Sequence, residues 1–294
     1  MLEIICVLKG RMMKIEKFSI VGPLGNGAQS AILQIRMTKT AENFALKVVP
    51  LESPEDMKFK DQADHEFRVA QLFDHPNLIK IHALEPVKDW MFRLKKMHML
   101  IEFVDGKTID EAPRLSPVRI MQVFEQVASA LVHMHKKGVF HADIKPNNIM
   151  LGKDGTVKVI DFGLSWIRDE PKDRIQGTPE YMAPEQAKHK MVNERTDIYS
   201  LGAAMYKIIT GKLPPPSLNE ENKPIELKSW QKQYKPVEVL MPPINKTLAE
   251  LVNKCLSFQA TARPERMSEV QGALDKLVED NLKNPNDGLA GLEW

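Results

Sequence analysis

HADIKPNNIMLGKDGTVKVIDFG, residues 141–163, holds two short strand-like runs, NNIML and TVKVID, on either side of GKDG. Asp154-Gly155 is a strong tight-turn signal, because such a turn needs backbone conformations that glycine adopts without steric penalty. Pairing the runs antiparallel brings their outer ends together. At those ends stand Asn148, with Asp143 five residues upstream, and Asp161, followed by Phe162 and Gly163. An amide oxygen, two carboxylates and the ammonium of Lys145 therefore converge at one mouth. Hard oxygen donors of this kind suit magnesium, which keeps several waters and binds together with a substrate phosphate. Any single Asp or Asn at a strand end is commonplace; the convergence is less easily dismissed.

Upstream, residues 18–103 read as strands broken by one helix. FSIVGPLG, SAILQIRM and NFALKVV are strand-like runs separated by Gly, Pro and Asn. Residues 78–84 and 97–103 read as two more. The spacing predicts a helix over 61–74, in which Glu66, Val69, Ala70 and Phe73 share one face. A carboxylate on an apolar stripe is costly unless a cation reaches it. Lys47, flanked by apolar neighbours in FALKVV, is the natural partner; the alternative is a surface helix with the carboxylate in water. Gly25 and Gly27, in GPLGNGAQSAI, let backbone N–H groups approach a phosphate. A dinucleotide-binding fold would need a helix straight after this loop, and SAILQIRM reads as a strand.

Downstream, helical periodicity dominates at 117–137, 196–210, 246–258 and 267–278. Pro117 suits a first turn and Gly138 a position past a helix end, while Gly211 and the prolines at 214–216 stop the helix before them. That triplet reads as a helix stop rather than a ligand for a proline-binding module. A strand-rich first part followed by a helix-rich second part is α+β in class. There is no internal repeat, and KNPNDGLAGLEW, from residue 283, reads as a loose tail. The opening MLEIICVL contains Glu3 and lacks a basic leader, so it reads as an extra strand or a frayed end rather than a signal peptide, with Met12 or Met13 as alternative starts.

The balance of 41 basic and 39 acidic residues, +2 overall, excludes a broadly basic nucleic-acid binder. No run approaches the ~20 apolar residues that cross a bilayer. Two distant cysteines, Cys6 and Cys255, give neither a disulfide framework nor a zinc site, and a cytoplasmic location follows as the expectation. The eight histidines show no metal spacing, and His141 reads as a buried packing residue. KDWMFRLKKM, residues 88–97, is a basic hairpin: a solvated face in most proteins, a dock for an acidic partner in the sharper reading.

Taken in order, GNGAQSAI, FALK, Glu66, IEFV (101–104), HADIKPNN, DFG (161–163), GTPEYMAPE (177–185), DIYSLG (197–202) and Arg263 resemble the eukaryotic-type serine/threonine protein kinase family, across residues 18–278. The resemblance implies a bilobal fold: a small antiparallel-sheet lobe with one regulatory helix (18–103) and a larger helical lobe (104–278), with ATP between them. Residues 1–17 and 279–294 would be extensions. It also implies roles. Asp143 orients the attacking hydroxyl and accepts its proton; Lys145 neutralises the transferring phosphoryl group; Asn148 and Asp161 hold magnesium. Lys47 binds the α- and β-phosphates and is fixed by Glu66. Gly25, Asn26, Gly27, Ile32, Ala45, Ile101, Glu102 and Val104 belong to the ATP site. Thr178 contacts the catalytic loop and the acceptor residue, and Glu185 pairs with Arg263. The substrate is a protein serine or threonine.

Four departures carry information. Ser30 replaces the third glycine of the loop. Residue 142 is alanine where many members carry an arginine that binds an activation-segment phosphate, and WIRDEPKDRIQG (166–177) has no Ser, Thr or Tyr, so receptor and acceptor are missing together. Ala70 stands where a larger aliphatic commonly packs beside Phe162 and Ile81, which implies a looser stack. Asn147 and Thr108 stand where members preferring basic substrates often have acids. The competing readings are a pseudokinase scaffold, against which the intact Lys47, Glu66, Asp143, Asn148 and Asp161 argue, and a small-molecule kinase, whose family generally lacks GTPEYMAPE.

Overall fold

The structure is a computed structural model that describes residues 2–6, 14–27, 30–112, 114–170, 176–189 and 191–283. The chain divides into two compact units. The first comprises Met1–Asp74, Leu78–Asp105 and Asp161–Gly163; the second comprises His75–Asn77, Gly106–Ile160 and Leu164–Trp294.

In the first unit, β1 (Leu2–Cys6), β2 (Lys14–Gly27), β3 (Ser30–Met37), β4 (Asn43–Pro50), β5 (Ile81–Lys88) and β6 (Leu94–Glu102) form one antiparallel sheet in the order β1-β2-β3-β4-β6-β5. Successive side chains of a strand point to opposite faces. Phe44 and Leu46 of β4 thus join Phe18, Ile35, Met37, Ala83 and Leu100 in a buried cluster, with the Phe18 and Phe44 rings edge to face at 5.8 Å. Ala45 and Lys47 point the other way. The strand expected at 78–84 runs instead over β5 and continues past Pro86. Proline cannot donate to a ladder, but β5 is an edge strand, where that loss is tolerated.

Helix α1 (Met57–Ala70) lies about one turn earlier than the periodicity predicts. Its start follows directly on a one-turn 3₁₀ helix, Pro54–Asp56, opened by a capping box that periodicity does not register: Asp56 Oδ2 accepts from the backbone N–H groups of Ser53 (2.8 Å) and Glu52 (2.9 Å). At its end the bonding tightens to Leu72 N–H on Val69 O and Phe73 N–H on Ala70 O. Pro76 follows closely and disfavours helical backbone at His75. Glu66, Val69 and Ala70 remain on the buried stripe, whereas Phe73 leaves the helix and packs its ring against Phe162 at 5.5 Å. Phe162 is fully buried despite the small side chain at residue 70.

The second unit is mostly helical. It contains β7 (Gly106–Thr108), α2 (Pro117–Lys136), β8 (Val139–Phe140), β9 (Ile149–Gly152), β10 (Val157–Val159), β11 (Trp166–Ile167), α3 (Pro184–His189), α4 (Glu194–Thr210), α5 (Leu227–Gln233), α6 (Val237–Leu240), α7 (Lys246–Cys255) and α8 (Met267–Lys283). Ser116 Oγ caps α2 by accepting from Arg119 N–H, and Pro117 occupies its first turn. Asn193 caps α4, and Gly211, at φ 70°, ends it in the left-handed conformation. Helix α4 is buried on nearly every side. Gly202 lets α7 approach it closely, since a Cβ there would lie 2.7 Å from Cys255 Cβ. Among the described residues no helix is long and apolar enough to cross a membrane.

The β9–β10 hairpin has the register expected from Asp154-Gly155, with Ile149 opposite Val159. Asp154 Oδ1 accepts from Thr156 N–H at 2.9 Å, Gly155 has φ 89°, and Arg119 Nη2 donates to Gly155 O at 2.7 Å. At the open end Ile160 N–H donates to Asn148 O at 2.9 Å, so the backbone of residue 148 is tied to the residue that precedes Asp161.

Candidate active site

The sheet register of the first unit lines up the residues that the sequence assigned to ATP. Gly25 lies opposite Ile32, Ile32 opposite Lys47, and Lys47 opposite Met99. Ala45, two residues from Lys47, lies opposite Ile101. Paired residues, and residues two apart on one strand, share a face. Ile32, Ala45, Lys47 and Ile101 therefore occupy one side of the sheet, away from the Phe18–Phe44 cluster. A Cβ on Gly25 would meet nothing within 4 Å, so open space lies above that backbone. Asn26 and Gly27 close the β2–β3 turn as partners of Ala31 and Ser30. Beyond β6, Val104 N–H has no hydrogen-bond partner among the described residues, and Glu102 N–H is held by Lys80 O at 2.9 Å.

Lys47 Nζ donates to Glu66 Oε2 at 2.7 Å. Burial works against the ammonium, but the Glu66 and Asp161 carboxylates together raise its pKa. Burial pushes the Glu66 carboxyl up, with the Asp161 charge in the same sense and Lys47 opposing; Phe162 N–H also donates to this carboxylate. One glutamate on α1 thus holds both the lysine and the backbone of the DFG stretch. Asp161 itself adopts φ 66°, uncommon for a non-glycine residue, with Oδ1 accepting from Gly163 N–H at 3.3 Å.

In the second unit Asp143, Lys145, Asn148 and Thr178 form one hydrogen-bonded group. Asp143 Oδ2 accepts from Lys145 Nζ at 2.8 Å and Asn148 Nδ2 at 3.3 Å, and Oδ1 accepts from Thr178 N–H at 2.7 Å. Lys145 Nζ also donates to Thr178 Oγ1 at 2.7 Å. Asn148 Nδ2 donates to Asp143 O at 2.9 Å, which turns the amide nitrogen inward. Its side-chain oxygen has no partner among the described residues. A hard oxygen on an amide fixed through its nitrogen fits a magnesium ligand, as does the carboxylate of Asp161. Arg263 donates from Nη1 to Glu185 Oε1 (2.8 Å) and from Nη2 to Oε2 (2.9 Å), a bidentate pair. His141 is fully buried; its Nδ1 accepts from Asp143 N–H, which makes Nε2 the donor to Ile160 O at 3.2 Å.

Sequence reasoning missed what holds the 141–143 backbone. Asp197, fully buried on α4, accepts from His141 N–H at 2.9 Å and Ala142 N–H at 2.8 Å, and so supports Ala142 at φ 64°. His135 Nε2 donates to Asp197 Oδ2 at 2.7 Å, and its Nδ1 lies 3.3 Å from Glu194. Burial opposes a charge on His135, but the two carboxylates push its pKa up to about 9. The available signal was DIYSLGAAMYKII, where a carboxylate heads a largely apolar helical run and requires a partner. Because the folded pKa lies above the ordinary histidine value, this pairing stabilises fully below about pH 6.5 and is lost as pH rises through about 9. At most about 3 kcal/mol is involved. Comparing the urea stability of the protein with that of His135→Gln should show a gap that narrows between pH 6.5 and 9; a gap independent of pH removes the ion pair.

A family model described as protein kinase domain matches residues 18–274. The chain is 26% identical over 270 residues to a probable serine/threonine-protein kinase of Streptomyces coelicolor, covering 87% of this chain and 40% of that protein. It is 28% identical over 293 residues to the serine/threonine-protein kinase Pkn1 of Myxococcus xanthus, covering 94% and 41%. Against the serine/threonine-protein kinase PrkC of Bacillus subtilis it is 25% identical over 277 residues, covering 91% and 41%. The chain thus spans about two fifths of the length of these curated relatives.

Proposed function

The chain belongs to the protein kinase family, and from that premise we propose that it transfers the γ-phosphoryl group of ATP to serine or threonine hydroxyls of protein substrates. The observation that carries this reading is the Asp143 group. A carboxylate held by the Thr178 amide, with an ammonium at 2.8 Å, is suited to orient a hydroxyl and accept its proton. Lys145 neutralises charge on the phosphoryl group in flight, and Thr178 Oγ1 keeps that ammonium in place. Lys47, braced by Glu66, binds the α- and β-phosphates. Gly25, Asn26 and Gly27 cover the phosphates with backbone N–H groups, while Ile32, Ala45, Ile101, Glu102 and Val104 receive the adenine. Asn148 and Asp161 each supply an oxygen ligand to magnesium, which when bound offsets phosphate charge. Positioning and charge neutralisation account for most of the acceleration. The buried free thiol of Cys255 suits a reducing, cytoplasmic setting. Incubation with labelled ATP, magnesium and a generic protein substrate should place label on phosphoserine or phosphothreonine. No transfer, or label on a small alcohol, would remove the proposal.

The same reading includes activity without phosphorylation of the activation segment. Its support is the missing acceptor and receptor, together with an uncharged tie in their place. Gln186, 1% exposed, donates from Nε2 to Ala142 O at 3.0 Å and to Gln176 O at 2.7 Å, joining the catalytic loop to the segment's end. Gly177 makes room for this amide, since a Cβ there would lie 2.9 Å from Nε2. Residues 171–175 of the segment lie outside the described residues. Phosphatase treatment should leave turnover unchanged, whereas Gln186→Leu, which removes the donor to the buried Ala142 O and to Gln176 O, should lower it about tenfold. Loss of activity on dephosphorylation, recovered with a phosphate between residues 161 and 185, contradicts this.

A further inference from the structure

Trp90 and Phe92, at 86% and 83% exposure, are the most exposed large apolar side chains among the described residues, and they sit two apart at the tip of the β5–β6 hairpin. Met91 between them is also exposed. The tip is well held. Asp89 N–H donates to Arg93 O at 2.9 Å and Phe92 N–H to Asp89 O at 3.0 Å. Asp89 Oδ1 accepts from the N–H groups of Met91 (2.8 Å) and Arg93 (2.9 Å). The tip's single carboxylate is thereby turned into the turn, with Lys95 3.9 Å away. Lys88, Arg93 and Lys95 are exposed beside the aromatics, and Lys96 is half-buried. Phe92 has φ 60°, a conformation that favours glycine. A bulky aromatic kept at such a position, pointing into water, is not explained by the fold, and strain of this kind tends to persist where a side chain has another task.

We propose that this tip is a peripheral docking element for an anionic phospholipid surface, with Trp90 and Phe92 entering the headgroup layer and the exposed Lys88, Arg93 and Lys95 beside them facing lipid phosphates. Area and charge favour a bilayer over a folded protein. Two aromatic side chains bury about 150–250 Å² each, well short of the roughly 800 Å² per partner of a standard protein interface. Aromatic rings flanked by Lys and Arg are what a headgroup region accepts, the rings at the apolar boundary and the cations at the negative surface.

The experiment uses the whole chain with vesicles of phosphatidylcholine containing phosphatidylserine, and with vesicles of phosphatidylcholine alone. Co-sedimentation is expected with the anionic vesicles only, falling as salt rises, with a blue shift of tryptophan emission. Trp90→Phe should still bind while losing that blue shift. Trp90→Ser with Phe92→Ser should weaken binding by about tenfold or more with an unchanged melting temperature. Phe92→Gly separates binding from folding: it should melt no lower than the parent, because glycine relieves the positive φ, and still lose affinity. The proposal is overturned if the chain ignores anionic vesicles at low salt, or if the double serine variant binds as the parent does. Equal binding to both vesicle types also overturns it. So does a dimer, or a complex with a protein, that the double variant abolishes while vesicle binding is absent.

Discussion

Asp143→Asn should lower turnover by about 10²–10⁴-fold while nucleotide affinity changes little, because the proposed base is removed and the nucleotide contacts assigned to the other unit remain. The geometry explains why so small a change is severe. Both oxygens of Asp143 receive donors: Oδ1 from Thr178 N–H at 2.7 Å, Oδ2 from Lys145 Nζ at 2.8 Å and Asn148 Nδ2 at 3.3 Å. An amide offers one oxygen, so in either orientation its NH₂ faces another donor. Proton acceptance and the position of the loop are therefore lost together. Steady-state kinetics paired with nucleotide titration of the same preparation would measure this, and undiminished turnover would remove the assigned base. Lys47→Met is the contrasting variant, expected to weaken the phosphate contacts and to leave the Glu66 carboxylate without its cation at 2.7 Å.

Arg263→Met should destabilise the protein by about 3–5 kcal/mol, the usual cost of stranding one partner of a buried ion pair. The Arg263 side chain is fully buried and that of Glu185 is 13% exposed. Its guanidinium donates to both Glu185 oxygens, to Ser257 O at 2.7 Å, Arg195 O at 2.8 Å and Phe258 O at 3.0 Å, and lies over the Tyr199 ring. Removing it leaves the Glu185 carboxylate with the Thr196 hydroxyl at 3.1 Å and no cation, and takes a donor from three carbonyls at once. Arg263→Lys keeps a charge but not the planar fork and should recover only part of the loss. Replacing both partners, Glu185→Leu with Arg263→Met, should be milder than Arg263→Met alone, since no charge is then left unpaired. Denaturant unfolding measures all three; a loss below about 1 kcal/mol for Arg263→Met would mean that the pair is not buried in solution.

Lys47 and Glu66 show how far a local pattern reaches. An apolar stripe containing one carboxylate was enough to demand a cation, and the only uncertainty was whether the stripe was buried. The end of α1 shows the limit: the stripe stayed in phase while Phe73 left the helix, because the capping box at Ser53 and Pro76 set the ends, not the period. The other site residues, from Asp143 through Thr178 to Arg263, became legible through the order of short motifs rather than through their physics. Gln186 carried no readable signal, being an amide in a six-residue helix whose bonds run to two carbonyls.

Turns, caps and strand alternation are decided within a few residues, and these the chain declares by itself: the Asp154-Gly155 hairpin, Pro117 and Gly138 around α2, Gly211 after α4. Their free energies come mainly from backbone conformation and neighbouring donors. Tertiary structure alone decided that His135 and Asp197, 62 positions apart, would be hydrogen-bonded beneath the 141–143 backbone, and that the sheet register would set Ile32, Ala45, Lys47 and Ile101 on one face. It also decided that Trp90 and Phe92 would stand in water. Burial is a property of what the rest of the chain brings alongside, and only the folded molecule states which groups must find a partner and which are left without one.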